Sequence, residues 1–278
     1  MTALKFASKV KESFALPEVC VNIRSMLDNP QTHTDDIAAL ISLDPSLCSK
    51  LLKLANSSLF RFRSQVSSIS KAINIIGGEA LYILVMSETA ANAYQQFQND
   101  IVDLERFWKQ SVMCGLMAQN ISKVVKVRGS ERFFLMGLLN NFAELAIAKQ
   151  APEQASAIQA EIAQHMPWDS QQKHLGFYYS DCTAEILKAW QLPNQLFEPL
   201  AHIHSADHAI KNKETAVLYL AYRTSLKSVF EDEFKRRNPI DGSVMDAMDL
   251  HYEDLDALTK QTQMEAKEML HLLNPDLF

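Results

Sequence analysis

The sequence predicts an all-α protein, and three observations support this prediction. Apolar residues recur at intervals of three and four in almost every segment, which places them on one face of a helix. The 278 residues include only 7 glycines and 9 prolines, so tight turns are few and long helices are favoured. The strict alternation of apolar and polar residues that is typical of a half-buried strand is missing from the sequence.

Capping residues, glycines and apolar periods divide the chain into a series of predicted helices. Thr34 is predicted as the N-cap of a helix that begins at Asp35. The next helix is predicted to begin at Pro45 with Asp44 as its N-cap, since proline is favoured in the first helical turn. A further helix should end at Gly77–Gly78, and the polar segment 99–105 is expected to join two lobes. Later apolar periods predict helices at about 130–150, 152–165, 170–190, 194–204, 213–231 and 251–273.

The composition indicates a globular protein with a substantial apolar core. Hydrophobic residues make up 47% of the chain and charged residues 22%, values that are usual for soluble domains. The net charge of −6 gives no electrostatic reason to expect nucleic acid or an anionic membrane as the main partner. The four cysteines are far apart in the sequence, and no run approaches the roughly 18 apolar residues of a membrane helix. We therefore expect a soluble, cytoplasmic protein without a disulfide framework.

Two adjacent asparagines interrupt the helix predicted at 130–150. Within MGLLNNFAELAI, residues 136–147, the apolar residues follow helical spacing, yet Asn140 and Asn141 lie among them. Asparagine is a mediocre helix former, and its amide needs partners when it is buried. Consecutive helical residues point about 100° apart, so only one of the two is expected to face a given pocket.

Residues 40–77 resemble the opening half of the HDOD family. That family carries a signature of the form DPxLxxxLLxxANS, followed by IxxAIxxLG. The matching residues are Asp44, Pro45, Leu47, Leu51, Leu52, Ala55, Asn56, Ser57, Ile69, Ala72, Ile73 and Gly77. The resemblance covers about residues 15–210 and implies a two-lobed helical fold. We accordingly expect an N-terminal lobe at 1–100 and an HD-like helical bundle at 101–212. Beyond the region of resemblance, we expect a C-terminal helical extension at 213–278 that packs on the second lobe.

The second half of the resemblance, which runs from Phe107–Ser111 to residues 186–193, bears on function. The HDOD family derives from the HD superfamily of metal-dependent phosphohydrolases, which hold one or two ions with histidines and aspartates. In this sequence, only His204 lies near a position at which the HD superfamily has a ligand histidine. The other ligand positions fall on Gln110, Asn140, Asn141, Tyr179 and Tyr222.

These replacements imply a binding protein rather than an enzyme. An amide oxygen is a neutral, weak ligand for a transition metal, and tyrosine stays protonated near neutral pH. The resemblance therefore implies a non-catalytic regulatory module of bacterial signalling that needs no metal or cofactor. It would bind a signalling protein, or a small polar ligand, through a degenerate pocket. The residues expected to form hydrogen bonds in that pocket are Gln110, Asn140, Asn141, Tyr179, His204 and Tyr222.

Two other functions stay open. A divergent metal-dependent phosphohydrolase would need ligands elsewhere, and its candidates are His174, His202, His204, Asp181 and Asp207. His204 and His208 are also four residues apart, a spacing that paired zinc ligands on a helix can have. A nucleic-acid-associated regulator would instead use cations to contact phosphates. The same cations could dock an acidic partner, and they are Lys50, Lys53, Arg61, Arg63 and Lys71.

Overall fold

The computed structural model describes residues 2–13, 16–57, 59–60, 65–96 and 99–273. Within these ranges the regular secondary structure consists of eighteen helices and no strand. The prediction of an all-α fold is confirmed.

The chain forms two compact units. The smaller unit comprises Ala15–Ala93 with Lys267–Phe278, and the larger comprises Met1–Phe14 with Tyr94–Ala266. The N-terminal helix therefore groups with the larger unit, although the sequence placed residues 1–100 together. The domain boundaries at 1–100, 101–212 and 213–278 stay predictions.

The helices are numbered in chain order. Those that begin in the smaller unit are α2 (Glu18–Asp28), α3 (Thr34–Ser42), α4 (Pro45–Ala55), α5 (Ile69–Ile76) and α6 (Gly78–Gln96). Those that begin in the larger unit are α1 (Ala3–Ser13), α7 (Leu104–Val124), α8 (Ser130–Leu139), α9 (Phe142–Gln150), α10 (Pro152–Ala160), α11 (Pro167–Leu175), α12 (Tyr179–Ala189), α13 (Asn194–Ala201), α14 (Ala206–Lys211), α15 (Lys213–Val229), α16 (Glu231–Phe234), α17 (Gly242–Ala247) and α18 (Tyr252–Leu273).

The polar residues of the DPxLxxxLLxxANS block organise the smaller unit. The side chain of Asp44 accepts the backbone N–H of Leu47 and caps α4, as predicted. The amide of Asn56 donates to the carbonyls of Leu52 and Val66 and accepts the N–H of Val66, at 2.7–2.8 Å. Asn56 therefore ties the end of α4 to the segment that leads into α5.

The segment predicted as a single helix at 130–150 is two helices, and that prediction was wrong. α8 ends at Leu139 and α9 starts at Phe142, so the break falls on the asparagine pair. The side chain of Asn140 donates to the carbonyl of Gly137, with 2.5 Å between Nδ2 and O. A side chain that competes for a backbone carbonyl favours a helix end. The helix predicted at 170–190 is likewise two helices, because Gly176 adopts a left-handed conformation with φ +77 between α11 and α12.

The backbones of α7 and α8 pack closely against each other, and this contact holds the end of α8 beside α7. A Cβ atom added at Gly137 would lie 2.6 Å from the carbonyl oxygen of Cys114, and one added at Gly115 would lie 2.7 Å from that of Phe134. Real Cβ contacts are longer than this, so only glycine allows the two helices to approach so closely.

Candidate functional site

A small cavity in the larger unit brings together four of the six predicted pocket residues. Gln110, Asn141, Tyr179 and Tyr222 line a cavity of about 30 Å³. They come from α7, from the break between α8 and α9, from the first residue of α12, and from α15. The sequence resemblance therefore placed side chains from four separate elements at one site.

The other two predicted residues do not line the cavity. Asn140 points its amide at the carbonyl of Gly137, so only Asn141 of the pair faces the cavity. The ring of His204 packs against Tyr222, with 5.2 Å between centroids, and stacks on Trp168 at 5.4 Å. Burial, with a smaller effect from the positive charge of Arg223, holds the pKa of His204 well below its usual range. His204 therefore supports a wall of the site as a neutral ring.

Three further polar side chains line the cavity and were not predicted: Glu144, Gln159 and Gln171. Gln171 accepts the backbone N–H of Tyr179 at 2.9 Å and so fixes the start of α12. Glu144 lies one helical turn after Asn141 and is the only acidic residue of α9. A lone carboxyl group in an apolar helix was the sequence signal that could have identified it.

Glu144 is the acidic residue that lines the cavity, and its carboxyl group has a shifted pKa. Burial raises the pKa of this carboxyl group to about 7, and a hydrogen bond from Gln159, 2.6 Å between Nε2 and Oε1, acts in the opposite direction. Burial likewise raises the pKa values of Tyr179 and Tyr222 above the usual range of a phenol. Both phenols therefore stay neutral at physiological pH.

Two polar atoms of the cavity lining are buried without a protein partner among the described residues: Nε2 of Gln110 and the hydroxyl of Tyr179. A buried donor that lacks a hydrogen bond is costly. A cavity needs about 10–15 Å³ to hold one water molecule, so a volume of about 30 Å³ accommodates one or two. The lining is therefore suited to water or to a polar group of similar size.

The donor set of the cavity does not fit the metal centre of an HD hydrolase. Such ions are held by several histidines and ionised carboxylates. The cavity offers amides, two neutral phenols and a single carboxyl group whose pKa of about 7 leaves it partly protonated. These groups form hydrogen bonds well and hold a divalent ion poorly.

The alternative metal ligands do not converge on one point. His174 interacts with Glu161 at 3.1 Å, Asp181 accepts the backbone N–H of Tyr178 at 2.8 Å, and Asp207 is exposed. Across the described ranges, the group of three side chains close enough to share an ion contains only His202 of the five candidates, together with Glu198 and His208.

Two of the five residues of the predicted basic face interact with other groups of the protein. Lys50 forms an ion pair with Glu88, and the ammonium group of Lys71 donates to the carbonyl of Gln65 at 3.0 Å. Lys53 is exposed. The remaining two cations, Arg61 and Arg63, lie outside the described residues.

The all-helical fold, with a polar cavity between helices of the larger unit, is that of an HD-like class of protein. Within that class, the chain matches the HDOD domain over residues 14–206, and it belongs to this family. It is 26% identical over 229 residues to an uncharacterized protein of Treponema pallidum (strain Nichols). That match covers 79% of the chain and 43% of the relative, so the chain spans less than half of the relative's length.

Solved structures show the same fold. A proposed phosphohydrolase from Shewanella amazonensis SB2B superposes with a TM-score of 0.72 at 21% identity, over 98% of each chain. A proposed signal transduction protein from Marinobacter aquaeolei VT8 has a TM-score of 0.65 at 18% identity, over 94% of this chain and 59% of that one. At these identities the similarity shows the fold alone.

Among the described residues, none of the helices is by itself long and apolar enough to cross a membrane. Ile69–Ile76 and Gly78–Thr89 reach the required length and composition only as a pair, which is bent by 120°.

Proposed function

We propose that this chain is a non-catalytic HDOD-type regulatory protein of the bacterial cytoplasm that acts by binding a signalling protein. The observation that carries the proposal is the chemistry of the cavity. Gln110, Asn141, Tyr179 and Tyr222 supply neutral groups where HD hydrolases carry metal ligands, and the single carboxyl group is Glu144. A site of this kind keeps a hydrogen-bonded shape and cannot lower the pKa of a metal-bound water or clamp a phosphate.

The size of the cavity argues against a nucleotide as its ligand. Pockets for small molecules of drug size have volumes of about 300–1,000 Å³, whereas this cavity has about 30 Å³. A small polar ligand in the cavity would therefore be water or a group of that size. The regulatory surface would lie elsewhere on the chain, with the cavity as a polar element that holds the helix ends in place.

The choice of a signalling partner rests on the family and on a structural relative. The Marinobacter structure carries the words signal transduction in its name, and HDOD modules as a class are regarded as regulatory. The net charge of −6 and the engaged lysines disfavour nucleic acid.

The phosphohydrolase alternative is tested by a direct assay. Protein purified without a histidine tag would be incubated with manganese, iron or zinc and assayed on phosphodiesters and nucleotides. We expect no turnover above that of the metal alone. Turnover that disappears in an Asn141→Ala variant would place the reaction in the cavity and overturn the proposal.

Binding of a partner needs its own measurement. Partners captured from the source cells would be identified by mass spectrometry, and the complex would be rebuilt from purified components. A one-to-one complex that forms equally well with Asn141→Ala would support regulation through an outer surface. Failure of every captured protein to form a defined complex would contradict it.

A further inference from the structure

A cluster of three metal-ligating side chains lies on the larger unit, outside the cavity. Glu198, His202 and His208 bring one ligand atom each to within 4.8 Å of one another. The two imidazole rings are stacked, with 4.0 Å between centroids and 14° between planes. Glu198 is exposed and both histidines are half-buried, so an ion could reach all three from solvent.

The local backbone fixes the relative positions of the three residues. Glu198 lies in the last turns of α13, and His202 follows four residues later as the C-cap, so both project from the same side of that helix. The carbonyl of His202 accepts the N–H of Ser205 at 3.0 Å, and the hydroxyl of Ser205 accepts the N–H of His208 at 3.2 Å. One short turn therefore holds the backbone of both histidines.

We propose that Glu198, His202 and His208 form a binding site for a divalent transition-metal ion, and that zinc is the ion that fits. Two imidazoles and one carboxylate are an established ligand set for zinc, with water in the fourth position. Magnesium and calcium prefer sites made of oxygen atoms, so they are not expected here.

The geometry requires a small closure around the ion. Zinc bonds of 2.0–2.1 Å in a tetrahedron place ligand atoms about 3.3 Å apart, which is less than the observed limit of 4.8 Å. Closing this gap requires rotation of the exposed Glu198 side chain and reorientation of the two stacked imidazole rings, so that the ring nitrogens point at the ion. Asp181, which interacts electrostatically with His202, adds negative charge near the ion.

The site is independent of the proposed function. None of the three residues lines the cavity, so an ion bound here would not supply hydrolase chemistry to it. An ion would instead cross-link the end of α13 to α14 and stabilise the folded larger unit, since a ligand that binds only the folded state raises its stability.

The test is zinc binding by the full, tag-free chain, measured by calorimetry and by elemental mass spectrometry. We expect one ion per chain and an increase of several degrees in Tm at saturating zinc. His202→Ala and His208→Ala should each weaken binding at least tenfold, and Glu198→Gln should weaken it less. Cobalt in place of zinc should give the visible absorption of a tetrahedral site, which the histidine variants should lose.

Matched controls separate this site from others. His165→Ala removes an exposed histidine outside the cluster and should leave binding unchanged. Gln110→Ala alters the cavity and should also leave it unchanged. No saturable uptake of zinc, or equal uptake by the His202→Ala/His208→Ala double variant, would overturn the inference. Loss of uptake in Gln110→Ala alone would place the ion in the cavity and contradict both this inference and the proposed function.

Discussion

The side-chain amide of Gln159 donates a hydrogen bond to the carboxyl group of Glu144, with 2.6 Å between Nε2 and Oε1. Both residues line the cavity, and Glu144 is only 8% exposed. Burial raises the pKa of Glu144 from 4.5 to about 7 despite this hydrogen bond. The cavity therefore contains a carboxyl group that exchanges its proton near neutral pH.

Replacing Glu144 with glutamine should stabilise the protein at high pH and change little at low pH. The folded state binds the proton more tightly than the unfolded state, so stability falls as pH rises from about 4.5 to about 7. The difference between these pKa values corresponds to about 3 kcal/mol at most. We expect Glu144→Gln to raise the free energy of unfolding by up to that amount near pH 8, because glutamine keeps the acceptor for Gln159 without a charge.

Urea unfolding of both proteins across this pH range is the measurement. Glu153→Gln, an exposed position on α10, is the matched control and should show no comparable gain. A gain of the same size near pH 4.5 and near pH 8 would show that Glu144 does not carry a proton in the folded protein.

The two asparagines at the helix break should differ in their effect on stability. Asn140→Ala removes the donor to the Gly137 carbonyl in a site that is 1% exposed, and the loss should cost about 1–2 kcal/mol. Asn141→Ala removes a hydrogen bond to Tyr222. Water in the cavity can replace that bond, so the cost should stay below about 1 kcal/mol.

The comparison uses chemical unfolding of the two variants under the same conditions. Two double variants, each asparagine with Tyr222→Phe, separate the roles further. Tyr222→Phe should couple to Asn141→Ala and add independently to Asn140→Ala. The reverse order of effects would mean that Asn140 faces the cavity.

The sequence predicted which residues line the cavity better than it predicted where the helices around it begin and end. Gln110 and Tyr222 could be placed because apolar residues flank them on the long helices α7 and α15. Tyr179 could be placed because it follows Gly176 by three residues at the start of α12. The helix break at Asn140–Asn141 was missed because the apolar period continues through it, and periodicity does not show where a side chain replaces a backbone hydrogen bond. Glu144 was missed although it is the one acidic residue of α9, because its role in the cavity depends on residues that are far apart in sequence.

Gly137→Ala should destabilise the larger unit although alanine is the better helix former. Its Cβ atom would lie 2.6 Å from both the Cys114 carbonyl oxygen and the Cα atom of Gly115. Separation of α7 and α8 should cost about 3 kcal/mol, which exceeds the gain of about 0.5–1 kcal/mol from helix propensity. Thermal and urea unfolding would measure the difference.

The control for this prediction is Gly242→Ala at the start of α17, where an added Cβ meets nothing within 4 Å. That variant should unfold within about 0.5 kcal/mol of the parent protein. Equal stability of the two glycine variants would mean that α7 and α8 are further apart than described.

Arg223→Lys should destabilise the protein because the buried guanidinium group meets several partners at once. Arg223 is 2% exposed and donates to the carbonyls of Pro239 and Ile203, each at 3.0 Å. Its guanidinium carbon lies 3.3 Å from the ring centroid of Tyr219 and 4.3 Å from that of Trp168. Burial lowers the pKa of Arg223 to about 10, so the cation is retained at neutral pH.

An ammonium group has neither the planar fork nor the stacking surface that these partners require. With hydrogen bonds to charged groups worth about 1.5–3 kcal/mol each, Arg223→Lys should lower the free energy of unfolding by about 2–4 kcal/mol. Arg128→Lys at an exposed position is the control and should change the free energy of unfolding by less than about 0.5 kcal/mol.

The side chain of Arg223 donates to the carbonyl of Ile203, which lies between His202 and His204 in the sequence. Amide hydrogen exchange in Arg223→Lys should therefore increase first in residues 202–205. Exchange that increases uniformly over the larger unit would show that Arg223 supports the whole fold rather than this turn.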